Sequence, residues 1–206
     1  MATVTKTSPT FVQVEAPVVL ATATLGTLRN SSNVAELDLR TKYGAWIYVR
    51  MGRRVATALN RSAYVSIRRT DNETLVLPLQ TYDVVSQIAA AQSNTLSAGT
   101  SIGDGSITLT SATGFAIGDS ICLHSDDTNA NRVEFARIVN IATNTLTLER
   151  NLRVAHNSGD RVTSLADVRQ IWIPGGEQYE IRCINNSGQS IVFAVDMVVD
   201  NGDTIT

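Results

Sequence analysis

Few residues of this chain are of a type that does chemistry, and most of those stand in settings that give them none. A hydrolase needs a nucleophile with a base positioned beside it. The chain has two histidines, His124 and His156, both in or beside turns of a glycine-rich stretch. Neither lies in a Gly-x-Ser-x-Gly or comparable catalytic setting. Catalysis is therefore not expected, and the task expected of His156, in Ala-His-Asn-Ser-Gly-Asp, is a turn-stabilising hydrogen bond. Cys122 and Cys183 lie far apart without a Cys-x-x-Cys or metal spacing, each inside an apolar strand-like run. Their expected state is two buried thiols acting as small hydrophobes, with a disulfide left open. The segment from Ser125 to Asn131 alternates oxygen ligands as a calcium loop does, but lacks the following glycine and the late bidentate glutamate. A solvated, Asx-rich hairpin loop is its default reading, and no cofactor is expected.

The arginines are more informative. Arg50, Arg53, Arg54, Arg61, Arg68 and Arg69 crowd into a stretch with no carboxylate of its own before Asp71. One reading has them pair internally with Asp196, Asp200 and Asp203, or simply face water. The other makes them a contact face for an acidic shell or a neighbouring subunit, where the planar guanidinium gives bidentate carboxylate contacts. Nucleic acid is not expected, because no aromatic stacking residues are interleaved with the arginines and the formal net charge is -2.

The elements that must position these residues are strands. The chain has 206 residues, 5% aromatic and 17% charged, and it is rich in Thr, Ser, Val and Ile, a strand-and-turn composition. No apolar stretch approaches the length of a membrane-spanning helix, and the N-terminus lacks the pattern of a secretory signal; a soluble, cytosolically made protein, without a membrane partner, is expected. The first thirty or so residues, interrupted by Pro9 and Pro17, suit an extended arm or edge strands. Period-2 alternation then predicts strands at 34–39, 45–51 and 63–69, with Thr74–Leu77 as a further candidate. In the second of these, Trp46, Tyr48 and Arg50 stand opposite Ile47 and Val49. Residues 84–96 read as a linker. Gly99, Gly103, Gly105, Gly114 and Gly118 punctuate the short strands that follow, and longer strands return at 168–173, 179–184 and 191–199. The expected fold is all-β: an antiparallel β-sandwich base from residues 1–95 and 165–206, with an arm at 1–30 and a small β-barrel or sandwich module inserted at 99–163. Phe115, Ile121 and Phe135 are expected to form the module's own core, with Gly114 and Gly118 permitting the turns around Phe115.

Within the module, Gly105-Ser-Ile-Thr-Leu-Thr-Ser-Ala-Thr-Gly-Phe-Ala-Ile-Gly-Asp-Ser-Ile, Asn140-Ile-Ala-Thr-Asn-Thr-Leu-Thr-Leu-Glu-Arg and Ala155-His-Asn-Ser-Gly-Asp-Arg-Val occur in that order. Together they resemble a module common in tailed-phage virion proteins. The flanks, with Tyr48-Val-Arg-Met-Gly-Arg-Arg and Ile181-Arg-Cys-Ile-Asn-Asn-Ser-Gly-Gln-Ser-Ile-Val-Phe-Ala-Val, resemble the base domain of phage capsid decoration or cement proteins. That resemblance implies an oligomeric plug, commonly a homotrimer, bound to the major capsid protein on the capsid exterior of the virion, with the module projecting outward. The alternative is a tail or neck protein, such as an adhesin reading a host-surface glycan. An adhesin needs exposed aromatics on loops over a rigid scaffold, whereas Trp46 and Trp172 lie within strand patterns and are expected in the core.

Overall fold

Alternation decides which way each strand of the base faces. Along Gly44–Arg53, Ala45, Ile47, Val49 and Met51 are buried while Trp46, Tyr48 and Arg50 turn to the opposite face. The same two-residue period runs through Ala63–Arg69, Gln178–Asn185 and Ile191–Asp200. The computed structural model describes residues 4–6, 10–20, 35–69, 81–125, 132–201 and 203–205. The strand candidate at 74–77 and most of the calcium-like loop lie outside these.

In chain order the strands are β1 (Val4–Lys6), β2 (Thr10–Leu20), β3 (Ala35–Asp38), β4 (Gly44–Arg53), β5 (Ala63–Arg69) and β6 (Thr81–Val85). The module contributes β7 (Ser93–Thr95), β8 (Ser106–Thr108), β9 (Ser120–His124), β10 (Val133–Ala142), β11 (Thr145–Leu148) and β12 (Arg161–Thr163). The chain then returns as β13 (Asp167–Pro174), β14 (Gln178–Asn185), β15 (Ile191–Asp200) and β16 (Asp203–Ile205). Two four-stranded antiparallel sheets, β13-β4-β15-β2 and β3-β14-β5-β6, face one another. Every successive strand from β2 to β15 crosses to the other sheet, apart from the β5–β6 hairpin and the module between β6 and β13. This is the strand order of a jelly roll. Its core includes Ile47, Val49 and Phe193 from one sheet and Val65, Ile67 and Ile181 from the other.

β2 is an edge strand of its own sandwich, paired with β15, and β1 pairs with β16. Of the two readings of the N-terminal stretch, the edge strand describes residues 10–20. Pro17 falls where the β2–β15 register slips, a position that needs no ladder donor.

The stretch read as a linker holds structure at both ends: β6 runs to Val85, and β7 already belongs to the module's six-stranded sheet, β7-β12-β9-β10-β11-β8. A Leu96–Leu109 bridge, with Ser97 N–H donating to Thr108 O (2.9 Å) and Thr110 N–H to Thr95 O (3.0 Å), joins the two outer strands and curls this sheet towards a barrel. Leu96, Ile107, Phe115, Ile121, Leu123 and Leu146 fill it. Gly114 and Gly118 have φ of 88° and 95°, the left-handed region the turns around Phe115 require. Phe135 corrects one expectation. It leaves the module's core and joins Cys122, Val133 and Ala166 against Val192 and Ala194 of β15, the seam between module and base. Cys122 and Cys183 are buried thiols, not a disulfide; burial pushes the Cys122 thiol up to about 12.

Candidate functional site

The arginine cluster of the sequence does not assemble into one face. Arg50, on the outer face of β4, pairs with Asp196 and lies 5.5 Å from the centre of the Phe135 ring. Arg53 is 2% exposed and donates to the carbonyls of Gln87 and Ala89. Burial lowers its pKa, opposed by Asp167, but a guanidinium stays charged. Asp167 accepts from the Gln87 N–H at 3.1 Å, and burial raises its carboxyl pKa. Arg53 and Asp167 therefore grip the same segment from two sides, where the chain leaves the base for the module and returns. A pair of hydrogen bonds between Gln92 and Ser164, both 2.9 Å, continues this neck, and Thr163 Oγ1 donates to Arg53 O at 2.6 Å. Arg54 reaches Ser125 O at 2.9 Å, and Arg69 pairs with Glu177 at 2.6 Å. Arg61 is exposed in the β4–β5 connection, and Arg68 is exposed on the other sheet, 3.3 Å from Ser66 Oγ. Internal pairing with Asp196 is thus present for Arg50, and only Arg61 and Arg68 stand fully at the surface.

His156 is buried with its ring nitrogens 3.8 Å from Glu134 and 3.5 Å from Asp160. Its backbone N–H donates to Thr100 Oγ1 (3.1 Å), and its backbone carbonyl accepts from the Thr100 N–H (2.8 Å). Burial pushes the Glu134 carboxyl up, but His156 beside it and the N–H groups of Arg153 and Val154 outweigh that and hold it below its ordinary value. The group clasps the loop of residues 150–160 to the barrel. It offers no nucleophile beside the imidazole among the described residues.

The site that sequence reasoning missed lies at the other end of the β4–β13 ladder. Trp46 and Trp172 are directly paired across the strands, and they share the outer face with Val198 of β15. Trp46 is 41% exposed, Trp172 is half-buried on the same outer face, and Tyr43, in the turn before β4, is 68% exposed, which corrects the expectation of core tryptophans at 46 and 172. The ring centres of Trp46 and Trp172 are 5.2 Å apart at 61°, and those of Tyr43 and Trp172 are 6.0 Å apart at 52°. With Pro174 and Asp200 they line an open cleft of about 640 Å³. The cleft is built on close approaches: a Cβ on Gly44 would sit 2.4 Å from Trp172 Cζ2, and one on Gly175 would sit 1.8 Å from Lys42 O. Tyr43 N–H donates to Asp200 O at 3.1 Å, and Tyr43 O accepts from Gly175 N–H at 2.8 Å. The signal was in the alternation, which put Trp46 on the side of Tyr48 and Arg50.

No protein-family model matches the chain. No curated protein matches it either. Among solved structures, it is similar to a chain of the VP16–VP17 complex, a complex of the two major capsid proteins of bacteriophage P23-77, at 10% identity over 100% of both chains. The TM-score is 0.19, so this faint capsid-protein likeness assigns neither fold nor function. Among the described residues no helix is long and apolar enough to cross a membrane.

Proposed function

We propose that the chain is a non-enzymatic structural protein of a phage virion, a decoration or cement protein. It binds the outside of the head shell as a homo-oligomer, with a trimer as the expected state and the major capsid protein as its partner. The observation that carries this reading is the jelly-roll strand order with the whole module issuing from one crossover. Among the described residues, a two-sheet body of this kind leaves β13 and β2 at the edges of one sheet and β3 and β6 at the edges of the other with no further strand beside them. A shell or a symmetric neighbour can cover such edges. Attachment by a few thousand Å² of contact stabilises a shell without chemistry, and Arg61 and Arg68 are the members of the arginine set placed to meet an acidic partner. Nucleic acid and membrane have no part in this reading.

The test is co-sedimentation of the purified chain with empty shells that lack it, alongside light-scattering mass at micromolar concentration. Saturable binding by an oligomer supports the reading; a monomer that stays in the supernatant overturns it. A tail or neck position is the second reading, and the exposed aromatic cleft is the observation that favours it.

A further inference from the structure

The outer face of the β13-β4-β15-β2 sheet brings together, away from the module, two kinds of surface. One is the aromatic row of Tyr43, Trp172 and Trp46. The other is hydrogen-bonding: Gln170 and Tyr48 are the next outward pair along the same two strands, with Gln170 Nε2 donating to Tyr48 Oη at 3.2 Å. One pleat repeat separates these pairs by about 7 Å. The Asp200 carboxylate borders the row on the neighbouring strand.

We propose that this cleft is a saccharide-binding site. A pyranose presents a patch of C–H bonds on one face and hydroxyls around its rim. Indole and phenol rings take up the C–H face by dispersion and by the attraction of polarised C–H bonds to the negative ring face, while a carboxylate, an amide and a phenol on the same surface receive the hydroxyls. Trp172 is in place before any ligand arrives, because Gly44 lets it lie close over β4, and the backbone that carries Tyr43 is hydrogen-bonded on both sides. Little ordering cost then falls on binding. The cleft is shallow and open, and so suits one face of a sugar ring rather than an engulfed ligand. Among the described residues lining the cleft there is no Lys or Arg to receive an acidic sugar, and neutral hexoses or N-acetylhexosamines are the class it fits. The inference is independent of the shell-binding reading, since a virion protein in either position can carry such a site.

The test uses the full chain on a glycan array spanning neutral, amino and acidic saccharides, followed by titration of the best binder against tryptophan fluorescence. Binding to one or more neutral or hexosamine-bearing glycans is expected. It should weaken by about tenfold or more in both Trp46→Ala and Tyr43→Ala, with the melting temperature held near that of the parent. Both positions are exposed, so the two variants check one another for folding. No binding across the array, binding confined to acidic glycans, or binding that survives both substitutions overturns the proposal. So does a fluorescence response to tetramethylammonium without one to any glycan, which would make the cleft a cation cage. Shell co-sedimentation of Trp46→Ala separates the two claims, because it should be unchanged.

Discussion

One face of one sheet meets two fates in this molecule. Near the module, the outward positions of β4 and β15 are Gly52, Val192 and Ala194, and they vanish under Cys122, Val133 and Phe135. Farther along the same sheet, the outward positions are Trp46 of β4, Trp172 of β13 and Val198 of β15, and Trp46 stays open to solvent. Small side chains stand where another sheet must land at van der Waals distance, and the largest ones stand where nothing among the described residues lands. At the boundary, Arg50 is tied to Asp196 and lies against the Phe135 ring. Burial at the seam is packing between parts of one chain, whereas exposure of aromatics beyond it leaves binding capacity.

The comparison breaks first at the neck. Arg53→Ala leaves the Gln87 and Ala89 carbonyls without their buried donor, and a loss of about 3 kcal/mol is expected in urea unfolding; a loss within experimental error would mean that the neck does not couple module to base. At the seam, a Cβ on Gly52 would sit 2.4 Å from Cys122 Sγ and 2.6 Å from Cys122 Cβ. Gly52→Ala should therefore cost about 1–3 kcal/mol. It should also speed alkylation of Cys122, a fully buried thiol that burial holds towards the neutral form. Unchanged labelling would show that the seam is loose already.

Glu134 gives a smaller, pH-dependent effect. Its folded-state pKa is lowered, so its contribution is fully present above the ordinary carboxylate pKa and is lost as pH falls through the depressed folded value. Asp167 runs the other way: its raised pKa costs stability once pH rises above the folded value. Glu134→Gln should flatten the acid limb of the melting profile, and an acid limb of undiminished steepness would assign that limb elsewhere. The smallest stability effect is expected beyond the seam, where Trp46→Ala should cost about 1 kcal/mol through the lost edge contact with Trp172 while weakening glycan binding by about tenfold or more.

β3, β4, β5, β13, β14 and β15 were legible from two-residue alternation, Val34 to Leu39 and Ala45 to Met51 above all, whereas β6 was not and its last residues fell in the stretch read as a linker. The turns around Phe115 were legible from Gly114 and Gly118. β7 was not, since Ser-Asn-Thr is polar, three residues long and without alternation; only pairing with β12 makes it a strand. Phe135 could not be assigned to the seam, because alternation says which residues share a face and not which surface that face meets. The same limit misplaced Trp46. Its side of β4 was correctly read, but whether that side is covered depends on how far the module reaches along it. The arginines failed as a cluster for a related reason: successive residues point apart along a strand and are then divided between two sheets.

Cryo-electron microscopy of particles assembled with and without this chain tests the central claim most directly. The account predicts added density on the outer surface of the head, fitted by the two-sheet body at symmetry-related positions with the six-stranded module standing off it. Identical head maps in the two preparations, or density confined to tail or neck, would contradict it.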